Sequence, residues 1–286
     1  MFMPQAISIH IMKRLIAIPL ALFALTTHAQ TRLTQRWVTD TVLRVPESVL
    51  YHNGENLLYV SQIGTNPNAN KEGKGSIARL SPDGKIIDSA WVTGLNSPKG
   101  MGRYGDLLYV ADATEVAVID IKKAAIAYRL PVDSAVFLND IALDKQGNVY
   151  VSDSRTNKVH VIRRKQVSLY LDNVNNANGL LAADGVLYVL SAGRLLAADD
   201  QKRITVIASG LEKSTDGLVQ LSENEFIVTS WAGVIYSVKK DGTVKQLQDF
   251  RASKTNTADV GYNPKTRMLY VPTFWKNKVI AYHVEQ

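Results

Sequence analysis

Six residues that can do chemistry recur down the chain at nearly even spacing. Glu47, Lys99, Asn139, Asn178, Asp216 and Asp259 follow one another at intervals of 52, 40, 39, 38 and 43 positions. Each stands second in a short segment: PES, PKG, LND, ANG, TDG and ADV. Glu47, Asn139, Asn178 and Asp216 offer side-chain oxygens, and the pattern brings no sulfur or imidazole near them. Two carboxylates and two amides make a hard donor set suited to Ca²⁺ first, with Zn²⁺, Mn²⁺ or Mg²⁺ as alternatives. Taken singly, Asn-Gly and Asp-Gly are ordinary turn residues that tolerate special backbone angles. Four oxygen-bearing corners on one period are harder to assign to turns alone.

The elements that must position these corners read as one repeated unit. Residues 137–162, FLNDIALDKQGNVYVSDSRTNKVHVI, contain a corner, a short apolar run, a Gly turn, an alternating strand, a polar loop and another alternating strand. These are strand and hairpin signals. Six segments align on it, five with a second strand of the type aliphatic-Tyr-Val and the fifth unit with Phe-Ile-Val, and a period near 40 residues built from strands signals a propeller. Five units carry a fourth strand, beginning at Ser89, Ile126, Val167, Ile204 and Val244. The sixth runs into the chain end, while RWVT at residues 36–39 resembles WVT at residues 91–93 of the first unit. The expected fold is therefore all-β, a six-bladed propeller whose N-terminal strand completes the last blade and leaves no sheet edge open. Inner strands line the axis of such a ring, so the six corners are expected to converge on one mouth of the channel. The long first interval holds residues 64–75, GTNPNANKEGKG, expected as a loop on that same side: a solvated insertion, or a lid. Its GKGS ending is no phosphate loop, because Asn68 stands where the first Gly is needed.

Ahead of the repeats, Lys13 and Arg14 precede an apolar run to Leu25, and Thr27-His28-Ala29 supplies a small-x-small site. Residues 1–29 read as a secretory signal peptide, too short in its apolar part to span a bilayer. A single domain over residues 30–286, secreted or periplasmic, soluble and monomeric, is expected to remain. The formal net charge is +7, and Lys13 and Arg14 account for two of those charges. The other Lys and Arg are scattered, which argues against nucleic acid as a partner. With no cysteine in the chain, disulfides, thiolate metal sites and cysteine nucleophiles are excluded. After residue 29 the histidines are His52, His160 and His283, at unrelated repeat positions, and no GxSxG elbow is present, which argues against a serine triad.

In their order, the PES, LND, NGL and DGL corners of a six-unit chain resemble the SMP-30/gluconolactonase (regucalcin-like) family, over the whole of residues 30–286. The resemblance implies a divalent cation at the channel mouth held by Glu47, Asn139, Asn178 and Asp216, with Asn139 in some members contacting substrate instead. Family members acting on sugar lactones often carry an Arg two residues before the ND corner, where this chain has Phe137, an aromatic surface in place of a multidentate donor. The blade sequences are equally similar to NHL-type repeats, which often serve as binding platforms.

Two functions stay open at this point. One is an exported metal-dependent hydrolase of lactones or related esters, in which the cation polarises the carbonyl and Asp216 takes the proton of the attacking water. The other is a propeller that binds a ligand or protein at the same mouth without turnover. Substrate or ligand contacts are expected from Phe137, Lys99 and Asp259, and from an aromatic wall of Trp231, Phe274 and Trp275 on the loops that leave the second strands.

Overall fold

The computed structural model describes residues 1–5, 30–64 and 72–286. The proposed signal segment therefore lies outside the described residues except for its first five, as does most of the 64–75 loop. Six four-stranded antiparallel sheets form the molecule, each running from an inner to an outer strand. The inner strands of blades 1 to 5 are Pro46–His52, Pro98–Tyr104, Leu138–Leu143, Ala177–Ala183 and Thr215–Ser222. Three of the second strands, Leu57–Gln62, Val149–Asp153 and Glu225–Ser230, are buried along their whole length, and the other three along all but their first residue. That burial on both faces explains their near-continuous apolar sequences. Outer strands such as Gln166–Leu171 mix exposed and half-buried positions.

The sixth sheet confirms the expected closure. Arg32–Val38 pairs antiparallel with Val279–Glu285, from Arg32 opposite Glu285 to Val38 opposite Ile280. Trp37 lies 5.8 Å from Tyr270 and donates its indole N–H to the Pro82 carbonyl of blade 1 at 3.0 Å. The closing strand thus touches its own blade and the next. Apolar side chains collect between neighbouring blades, as in the cluster joining Tyr150 and Val161 of blade 3 to Leu180 and Val189 of blade 4. Another joins Val49 and Leu58 of blade 1 to Tyr270 and Val279 of blade 6. Stability is therefore distributed around the ring.

Two details depart from the sequence reading. The inner strand of blade 6 is only Gly261–Asn263, because the chain at Asp259 hydrogen-bonds across to blade 1: its N–H reaches the Glu47 carbonyl at 2.9 Å and its own carbonyl accepts from Val49 N–H at 3.3 Å. The segment Phe274–Lys276 forms a turn of 3-10 helix.

Candidate functional site

Each of the first five inner strands breaks register with its second strand at the corner, between Pro46 and Ser48, Pro98 and Met101, Leu138 and Ile141, Ala177 and Leu180, and Thr215 and Leu218. A bulge inserts unpaired residues and re-aims a side chain. Hydroxyls on the second strand take up the backbone N–H groups released there. Ser61 Oγ accepts from Ser48 N–H at 2.9 Å, Ser152 Oγ from Asp140 N–H at 2.9 Å, and Thr229 Oγ1 from Gly217 N–H at 2.8 Å. One position further on, the last residue of the strand ties down the segment leading into the corner. Gln62 accepts from Arg44 N–H, Asp112 from Asn96 and Ser97 N–H, and Asp153 from Val136 and Phe137 N–H.

Glycines complete the corners, for a reason other than turn geometry. Gly179 and Gly217, of the NG and DG pairs, are absent from the residues with positive φ. A Cβ on Gly179 would stand 2.1 Å from the Asp216 carbonyl oxygen, and one on Gly217 2.6 Å from Val260 N. Neighbouring inner strands approach so closely at the axis that only hydrogen fits. The turn reading of these pairs is corrected accordingly.

Glu47, Lys99, Asn139, Asn178 and Asp216 line one cavity of about 360 Å³, together with Phe137, Trp231, Phe274 and Trp275. That is nine of the ten side chains expected at the mouth. Asp259 is the exception: it lines a separate space of about 410 Å³ formed by later residues of all six inner segments, toward the other end of the channel, with Asp140. Its backbone pairing with blade 1 draws it down, and its carboxylate accepts from Ser48 Oγ. The aromatic wall is continuous, with Phe274 edge-on to Trp231 at 5.7 Å and to Trp275 at 5.0 Å. Trp231 and Trp275 are 40% and 49% exposed while Phe274 is buried, so the two indoles form the rim.

Asn176, Ser214 and Ile63 also line the cavity, and the sequence reading did not single them out. Asn176 and Ser214 stand two residues before Asn178 and Asp216, the offset that Phe137 holds to Asn139. That shared offset was the available signal. At the same offset before Glu47, Val45 has φ +53°, and Phe274 beside it in a small apolar cluster has φ +48°. Left-handed backbone is costly for a β-branched or bulky residue, and such strain gathers at functional sites. Asn277 Oδ1 holds Val45 N–H at 3.0 Å.

The polar groups of the cavity are poorly matched to one another. Asn178 gives its amide N–H to the Thr215 carbonyl at 3.0 Å and to Asp216 Oδ1 at 3.2 Å, and Asn139 gives its own to Ser154 Oγ at 3.0 Å. Both amides are thereby oriented with their oxygens free of those bonds. Asn178 Oδ1 and Glu47 Oε2 are buried and accept no hydrogen bond from the protein. Burial, then the charge of Asp216, pushes the Glu47 carboxyl well above its usual range. Burial and then Asp259 push Asp216 up to about 8, and burial pushes Asp259 to about 7. Lys99 does not pair with Asp259. Its ammonium donates to the Ser97 carbonyl at 3.1 Å and to Ser97 Oγ at 2.9 Å, and burial lowers its proton affinity. Buried oxygens without donors, in a pocket whose carboxylates repel one another, fit the donor set of a hard cation. Among the described residues no group of three or more His, Cys, Asp and Glu side chains gathers as a metal centre. The set present here is instead two carboxylates with two amides.

No family model matches the chain, and no curated protein matches it by sequence. Solved structures do match in shape. A catalytically inactive variant of virginiamycin B lyase from Staphylococcus aureus, with quinupristin, aligns with a TM-score of 0.64 at 10% identity, covering 89% of this chain and 99% of that one. A streptogramin B lyase aligns at 0.63 with 12% identity, covering 90% and 98%. Selenomethionine-substituted virginiamycin B lyase from Staphylococcus aureus aligns at 0.59 with 14% identity, covering 86% and 83%. At these identities the likeness is one of fold: this chain is a six-bladed β-propeller like those lyases.

Proposed function

We propose that the protein is an exported, monomeric, metal-dependent hydrolase of lactones or related esters, of the gluconolactonase-like kind. One observation carries the reading: Glu47, Asn139, Asn178 and Asp216 line a single cavity in which Glu47 Oε2 and Asn178 Oδ1 are buried without a donor. These four residues would hold a divalent cation, Ca²⁺ first. Such a cation, when bound, polarises a carbonyl and stabilises the developing oxyanion.

The chain's own residues do the rest. Asp216 is the proton acceptor for water, a role in which a bound cation would keep its carboxylate ionised. Asn178, bonded to Asp216 Oδ1, keeps that carboxylate oriented. Trp231, Phe274, Trp275 and Phe137 supply an apolar wall that seats the substrate and restricts water around it. The lyases of similar shape support the idea that a propeller of this form can carry a small-molecule enzyme, and they favour no particular reaction.

The test is metal analysis of the purified protein, followed by a lactone and ester panel with and without chelator. Near-stoichiometric metal and activity abolished by chelation are expected. Activity unaffected by chelator removes the metal from the mechanism. Bound ligand with no turnover across the panel assigns the cavity to the binding-platform alternative.

A further inference from the structure

Beside the oxygen-donor set, the same cavity carries the buried ammonium of Lys99, which makes no ion pair, and the exposed guanidinium of Arg155 lies against the Phe137 ring that lines the cavity. Lys99 is 3% exposed and lines the cavity, and Ser97 takes two of the three hydrogen-bond donors of its ammonium. Its nitrogen lies 4.4 Å from the centre of the Phe137 ring, and the guanidinium carbon of Arg155 lies 4.7 Å from the same ring. Among the ion pairs of the described residues none involves Lys99 or Arg155, although other basic side chains such as Arg129 and Arg251 are paired. The charges of Glu47, Asp112 and Asp216 act on Lys99, but with none of them in contact a buried ammonium is expensive to maintain in a fold. Phe137 acts as a spacer whose ring face is attractive to both cations and holds two like charges near one edge of the cavity. In the same cavity, the exposed indoles of Trp231 and Trp275 flank Phe274.

We propose that Lys99, supported by Arg155 on the same Phe137 ring, forms an anion subsite, so that the cavity takes an amphiphilic carboxylate: a flat apolar body against Trp231 and Trp275, and a carboxylate on the Lys99 ammonium, with the nearby guanidinium adding its charge. An ammonium and a guanidinium together supply the charge-assisted donors that a carboxylate accepts. The proposal rests on this cavity being the functional site, and under the hydrolase reading it makes the substrate an apolar lactone or ester that bears a further carboxylate. Hydroxylated sugar lactones offer neither the flat apolar face nor the charge.

The experiment is calorimetric titration with 4-phenylbutyrate and with 4-phenylbutanamide, both inert to hydrolysis as esters, at pH 7 in chelator so that no cation contributes. The acid is expected to bind at least about tenfold tighter than the amide, a difference of about 1.4 kcal/mol. Lys99→Met should erase that preference while leaving amide affinity within about twofold, and Trp231→Ala should weaken both compounds alike. Arg155→Met, at an exposed position that the fold tolerates, should cut the preference at least about threefold, and it keeps the proposal testable if the buried Lys99 variant does not fold. Equal affinities for acid and amide overturn the proposal, as does a preference that survives both substitutions, or no binding of either compound up to about 10 mM. A clear preference for the acid in a protein that hydrolyses nothing would leave the anion subsite standing and remove only the hydrolase.

Discussion

Asp216→Asn should make the cation-stripped protein more stable, and increasingly so as pH rises. In the fold Asp216 is pushed from 3.8 up to about 8, by burial first and Asp259 second. In the unfolded chain it is an ordinary carboxyl. Below about pH 4 both states hold the proton and the site costs nothing. Between about pH 4 and pH 8 the folded state keeps a proton that the unfolded state has released, so stability falls by about 1.4 kcal/mol per pH unit. Across that window the loss comes to about 5 kcal/mol, comparable to the whole stability of many domains. Asparagine is uncharged throughout, and its amide oxygen still accepts from Asn178, 3.2 Å away in the parent. The other buried acids, Glu47, Asp140 and Asp259, remain in both proteins and largely cancel in the comparison. Urea unfolding in chelator, followed by circular dichroism from pH 4 to pH 8, should give curves that meet near pH 4 and diverge by several kcal/mol near pH 8. Parallel curves would falsify the claim that Asp216 is held protonated by its surroundings. Saturating divalent cation should restore the parent near pH 8, because a ligand that binds only the folded state stabilises it by mass action.

The same site and its supports yield four further outcomes. With the cation present, Asp216→Asn should lose about 10²-fold or more in kcat on the best lactone or ester while keeping most of its metal, because an amide cannot take the water's proton. Glu47→Gln should show the opposite order, a weakened metal affinity with turnover partly restored by excess metal; unchanged metal content in that variant would remove Glu47 from the donor set. Gly179→Ala places a methyl 2.1 Å from the Asp216 carbonyl oxygen, a backbone atom with little room to yield, and should cost about 3 kcal/mol, lowering Tm by about 6–12 °C. An unaltered Tm would show that the inner strands are not in tight contact at the axis. Trp37→Ala removes the ring against Tyr270 and the hydrogen bond to Pro82, and about 2–3 kcal/mol should be lost for this half-buried side chain. Little change in Tm would mean that the N-terminal strand contributes little to closing the ring.

The blades were legible because their strands obey a local rule: a second strand buried on both faces must be apolar until it nears the corner, and LLYVSQ, LLYVAD and VLYVLS say so without reference to anything distant. Closure was legible from an absence, the sixth unit having no fourth strand of its own. The corner residues were legible as a set because a ring turns equal sequence spacing into spatial convergence. Asp259 escaped that logic. Its spacing is as regular as the others, but the chain there gives its backbone hydrogen bonds to Glu47 and Val49 of blade 1, and a pairing between the two ends of the sequence leaves no trace in either segment. The glycines of the NG and DG pairs were misread for a similar reason. A local view offers only turn geometry, whereas the constraint comes from the Asp216 carbonyl and the Val260 backbone of the next blade. Lys99 shows how far convergence alone can mislead about partners. The ring placed an ammonium among the oxygen-bearing corners, and the folded chain turns it to Ser97 and the Phe137 ring. Its charge is thus left on the same wall as the oxygen donors, without a carboxylate in contact. A cavity that presents cation-seeking oxygens and an ammonium without an ion pair is best matched by a ligand that brings both signs: a metal for Glu47, Asn178 and Asp216, and an anion for Lys99.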